Sequence, residues 1–188
     1  MTAFPLDGRP LFDAVTGVAS PFGGTVGFTP PADRRKIGLG WATWSHGCTG
    51  DVCYTLGATS VTLTMPADTA AFRFYAEPNP FALFTITVSS GGVSSSAMVN
   101  GSSGAHSWAI IDAAGLTSIT ITSEIDFAVG ELGIAKKDGG AVPDPGSSLL
   151  LLGLGPAGLA WRKRASSSPD ERRTSRAATL AVALDKYA

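Results

Sequence analysis

The chain has 188 residues, a formal net charge of −1, 44 % apolar residues and only 15 % charged ones, which is enough apolar content for one folded core. The near-neutral balance, with basic residues in short clusters instead of along one face, excludes the electrostatic footprint of a nucleic-acid binder. Abundant Gly, Ser, Thr and Ala leave a surface of small and hydroxylic side chains, a composition common in extracellular β proteins.

Residues 1–36 are rich in Pro and Gly and read as an irregular lead-in, with a short strand at "TVGF". The opening "MTAFPLDGRPLFDAV" has no basic n-region, no apolar h-region and no small-residue cleavage site, so it does not read as an export signal. Residues 37–136 then change to short β-type runs separated by turn signals. "SVTLTM" sets Val61, Leu63 and Met65 against Ser60, Thr62 and Thr64, the period-2 alternation of a half-buried strand. "AAFRFYAE" and "FTITVSS" repeat the pattern, with "EPNP" before Phe81 as the turn, because proline removes ladder donors. "VSSSAMV", "SWAII", "LTSITITS" and "IDFAVGELGIA" complete the set, with "NGSSG" as a connection signal. No 3.6-residue period is sustained in this region, so the expected fold is all-β, an antiparallel β-sandwich of jelly-roll type.

Residues 137–147 read as a linker containing Pro143, Asp144 and Pro145, residues 148–164 as a short hydrophobic C-terminal helix with a basic end, and residues 165–188 as a disordered or helical tail. From Pro145 to Trp161 no residue is charged. A helix of that length rises about 25 Å at about 1.5 Å per residue, against a hydrocarbon core of about 30 Å. Leu149, Leu150, Leu151, Leu152, Leu154, Leu159 and Trp161 would form the membrane anchor. Arg162, Lys163 and Arg164 would hold its end on the cytoplasmic side, leaving the β domain outside.

The ordered succession in "VPDPGSSLLLLGLGPAGLAWRKR" resembles the C-terminal sorting signal of bacterial PEP-CTERM proteins: a Pro-Glu-Pro tripeptide, a brief hydrophobic helix and a basic cluster. Asp144 stands where that family has Glu, keeping a carboxylate one methylene shorter. Two further departures are the 24 residues after Arg164 and the lack of a recognisable export signal. The resemblance implies recognition by exosortase, a membrane cysteine protease and transpeptidase, and passage through the inner membrane to the cell surface or extracellular space. It also implies exopolysaccharide as a partner. The same segment has been labelled an ice-binding-protein C-terminal domain.

The densest group of chemically able residues is "GWATWSHGCTGDVCYT", which holds His46, Cys48, Asp51 and Cys53. Imidazole and thiolates suit zinc or copper, but no second Cys pair completes a closed set, so no metal or other cofactor is expected. Cys48 and Cys53 are placed either for a disulfide across a short turn or as two free thiols. Ser45, His46 and Asp51 carry the residue types of a hydrolase triad, yet adjacent side chains on one strand point to opposite faces and no GxSxG elbow is present. Glu77, Asp126 and Glu131 could supply a glycosidase pair, with solvated surface carboxylates as the plain reading. Trp41, Trp44 and Trp108 could line a sugar platform, but core positions suit them better. The Thr-x-Thr repeats at 62–64, 85–87 and 120–122 could match an ice lattice, although Thr is simply favourable on exposed strands. The expectation is therefore a non-enzymatic, exported surface or matrix protein. The alternatives are a carbohydrate-binding or carbohydrate-active secreted protein, and an intracellular protein with a fortuitous apolar tail.

Overall fold

The computed structural model describes residues 1–5, 8–137 and 179–181. The expected all-β, antiparallel character holds, and no helix occurs among the described residues. The strands are β1 (Thr2–Ala3), β2 (Ala14–Ala19), β3 (Thr25–Ile37), β4 (Gly40–Trp41), β5 (Asp51–Tyr54), β6 (Ser60–Thr64) and β7 (Thr69–Pro78). They continue as β8 (Leu83–Ser90), β9 (Val93–Asn100), β10 (His106–Ile111), β11 (Ser118–Ser123), β12 (Phe127–Lys136) and β13 (Thr179–Ala181).

Hydrogen bonding runs through one nearly barrel-shaped sheet in the order β13-β10-β7-β12-β5-β3-β6-β11-β8-β9, where the sequence suggested two packed sheets. The strand that joins them is β3. Its N-terminal half pairs with β6 through Gly27↔Thr64 and Thr29↔Thr62, and its C-terminal half pairs with β5 through Asp33↔Tyr54 and Arg35↔Val52. Pro30 and Pro31 lie between the two ladders, where no partner asks for the missing N–H. On its other side β3 takes β2, with a register shift between Val15 and Gly17 that skips the same prolines. Residues 14–37 are thus structured and belong to the sheet, a correction to the irregular lead-in. Their alternation is real, with Val15 and Val18 buried on β2 and Val26, Phe28 and Ala32 buried on β3.

The enclosed face packs Phe72 and Phe74 of β7, Trp108 and Ile110 of β10, Ile119 and Ile121 of β11, and Val129 and Ile134 of β12 into one core. Phe74 stacks on Trp108 with ring centroids 5.8 Å apart. Trp108 is fully buried, and its Nε1 has no hydrogen-bond partner. A second, smaller cluster of Trp41, Trp44, Val52, Ala105 and Ala128 lies on the opposite face of β5 and β12, because side chains alternate: Val52 and Ala128 face it while Cys53 and Val129 face the main core. β4 supplies Trp41 and the segment between β4 and β5 supplies Trp44, which together cover this outer face.

Candidate functional site

The outer cluster is built around a buried carboxylate. Glu77, at the end of β7, is fully buried and accepts from Trp41 Nε1 at 3.0 Å, from Thr43 Oγ1 at 3.2 Å and from the Gly104 backbone N–H at 3.2 Å. Burial pushes its carboxyl above the ordinary range and outweighs these donors, which favour the ionised form. Three elements distant in sequence therefore meet on one side chain.

A second carboxylate is turned onto the same face by a β-bulge. The register between β12 and β7 shifts between Gly130 and Gly133, and Glu131 in this interval has φ of 50°, a left-handed value uncommon for a residue with a Cβ. Its Oε1 accepts from Trp44 Nε1 at 2.7 Å. Its other neighbour is the His46 ring, with Nε2 3.1 Å from Oε2 and 3.0 Å from Oε1. Gly130 permits the close approach, since a Cβ there would lie 3.1 Å from the Trp44 ring and 2.8 Å from Val52. Ser45 to Cys48 form a tight turn closed by the Cys48 N–H on the Ser45 carbonyl at 3.2 Å, with His46 at φ 41° and Gly47 at φ 69°, the signs of a type I′ turn. In that turn Ser45 Oγ reaches His46 Nδ1 at 2.8 Å. The opposite-faces objection assumed a strand and does not apply to a turn.

Asp51 does not join this group. It pairs with Arg34 at 2.9 Å, so the carboxylate beside the Ser-His pair is Glu131, from a strand 85 residues away from His46. Asp126 lies apart from both, accepting from the Tyr54 hydroxyl and from Asn79 Nδ2 at 3.4 Å. Tyr54 is pushed up to about 12 by its burial and by the bond to Asp126. The three glycosidase candidates are thus committed to three different sets of donors. Trp41, Trp44 and Trp108 are all buried, as core residues and not as an exposed sugar platform.

No disulfide joins Cys48 and Cys53. Cys53 packs against the enclosed core and Cys48 against the outer cluster, so the sheet stands between the two sulfurs. Among the described residues no group of three or more His, Cys, Asp or Glu side chains comes together to hold a metal ion. The Thr-x-Thr runs do align across strands: Thr62, Thr120, Ser89 and Ser94 form one row and Ser60, Thr122, Thr87 and Ser96 another. Several of these hydroxyls bond each other, Thr62 to Thr120 at 3.2 Å and Thr87 to Ser96 at 2.7 Å. One cavity, of about 230 Å³, is bordered by Phe4, Arg34, Asp51 and Glu131, and another, of about 370 Å³, lies beside the outer cluster, bordered by Trp41, Thr43, Asn79 and Phe81.

The tripeptide Pro143-Asp144-Pro145, the apolar run and the basic triplet lie outside the described residues, and among the described residues no helix is long and apolar enough to cross a membrane. Their identity is decided by comparison with known families, where the match spans residues 141–164. This segment is a PEP-CTERM protein-sorting motif. The PEP-CTERM motif implies processing by exosortase, a membrane protein, and transit through the membrane to the cell surface. No curated protein and no solved structure matched the chain.

Proposed function

We propose that this chain is an exported protein whose β domain is displayed at the cell surface or in the extracellular matrix after exosortase acts on the PEP-CTERM motif. The observation that carries the reading is the match over residues 141–164, in which a Pro-Asp-Pro tripeptide, an uncharged leucine-rich run and Arg162-Lys163-Arg164 follow in order. In this reading the segment from Leu149 to Trp161 is a membrane helix during transit, the basic triplet holds the C-terminal side in the cytoplasm, and the tripeptide is where the protease engages. The display role needs no catalytic step and no cofactor. Exopolysaccharide is the proposed surface partner. A low-charge exterior rich in Ser and Thr, such as the hydroxyl rows of β6, β11, β8 and β9, supports a polysaccharide surrounding over a charged one.

The test is replacement of Pro143 and Pro145 by Ala in the native cell. The wild-type chain is expected in the surface fraction as a shortened species, and the double variant is expected to stay uncleaved in the membrane. Equal processing of both would overturn the proposal.

A further inference from the structure

Ser45, His46 and Glu131 form one hydrogen-bonded chain, and the chemistry of the groups fixes its polarity. Glu131 accepts from the donor-only indole of Trp44, which suits an ionised carboxylate. A carboxylate can only accept, so the ring proton of neutral His46 sits on Nε2, facing Glu131 at 3.0–3.1 Å. Nδ1 is left with its lone pair. The Ser45 hydroxyl, 2.8 Å away, therefore donates to it. A hydroxyl donated to an imidazole that a carboxylate holds from behind is the arrangement that activates a serine nucleophile.

The backbone supports the same reading. Two of the six non-glycine residues with positive φ among the described residues, His46 and Glu131, are in direct contact here. Such conformations persist where surrounding contacts over-determine them, and they gather at working sites. Tyr75 backs the imidazole, with ring centroids 5.1 Å apart, so the base is held on a second side. Ser45 has no other side-chain partner among the described residues, so its hydroxyl is not consumed by the fold. The His46 side chain is 44 % exposed, which leaves the pair open to a small molecule from solvent.

We infer that Ser45 is a nucleophile that cleaves small acyl esters through an acyl-serine. Ser45 Oγ attacks the ester carbonyl as its proton passes to His46 Nδ1. The C–O bond to the alcohol breaks, and the alcohol leaves with that proton, giving acyl-Ser45. A water molecule then attacks the acyl carbon, its proton passing through His46 back to Ser45 as the carboxylic acid is released. Ser45 and His46 touch the reacting atoms. Glu131 is a positioning residue that fixes the tautomer. Neither cavity described above is bordered by Ser45, so the class is short acyl esters with good leaving groups. This activity is independent of the sorting role.

The experiment treats the full chain with p-nitrophenyl acetate and, separately, with a fluorophosphonate probe, and maps the adduct by peptide mass. The adduct is expected on Ser45, with p-nitrophenol release above that of the Ser45→Ala variant. Glu131→Gln is expected to lower kcat about 100-fold with KM little changed, because His46, no longer held in the right tautomer, would lose its general-base contribution. Ser45→Cys keeps a nucleophile in place and is expected to move the acetyl group onto sulfur, which serves if Glu131→Gln fails to fold. Adducts only at other residues, or equal hydrolysis by wild type and Ser45→Ala, would overturn the inference.

Discussion

Trp41 donates its indole N–H to Glu77 at 3.0 Å, and both side chains are buried although they lie 36 residues apart. The bond ties β4 to the end of β7 and so anchors the outer cluster to the sheet. Replacing Trp41 by Phe keeps much of the ring and removes the donor. Because the acceptor is a carboxylate, the expected loss is about 1.5–3 kcal/mol, read as a lower denaturation midpoint in urea. An unchanged midpoint would mean that the bond does not stabilise the fold.

The same carboxylate makes stability depend on pH. Glu77 has its folded-state value raised above the ordinary 4.5, so the native state holds its proton over a range where the unfolded chain has lost it. Its contribution is fully present below the unfolded value and is lost as pH rises through the folded one. Wild type is therefore expected to gain thermal stability relative to Glu77→Gln as pH falls from neutral towards 4.5. Parallel melting curves for the two proteins between those limits would contradict the assignment.

Trp108 separates packing from polarity in the core. It is fully buried against Phe74, and its Nε1 is unpartnered. Trp108→Ala is expected to cost about 3–5 kcal/mol through lost burial and the cavity left behind. Trp108→Phe also removes a buried donor that bonds nothing, and is expected to cost less than half as much. Calorimetric unfolding of the two variants checks the order.

Cys48 and Cys53 face opposite sides of the sheet. Alkylation of the denatured chain without reductant is expected to modify both thiols, with no further mass change after prior reduction. A two-dalton difference between the untreated and reduced chains would place a disulfide where the structure has none.

Much of the strand pattern was legible because exposed and buried residues alternate plainly. Leu63, Ile86, Val88 and Ile121 fall on the buried face as "SVTLTM", "FTITVSS" and "SITITS" suggest. Only the start of β3 was legible, as the short strand at "TVGF"; beyond it Pro30, Pro31 and the polar run Asp33-Arg34-Arg35-Lys36 hide a strand that changes partners midway. Tryptophans read as core residues are core residues, although two of them belong to an outer cluster no local pattern announces. The Ser45-His46-Glu131 chain was hidden for two physical reasons. A turn, not a strand, brings neighbouring side chains together, and a bulge re-aims Glu131 from a strand far along the chain. The signals available were Gly47 after His46 and Gly130 before Glu131.

The central claim is that the chain is a sorted exosortase client. Its most direct test is the intact mass of the protein recovered from the surface fraction of native cells, with the C-terminus mapped by peptide sequencing. The account predicts a chain that ends near Pro143-Asp144-Pro145 and lacks the leucine run and Arg162-Lys163-Arg164. A chain that still carries those residues, recovered in full from the cytosol, would contradict it.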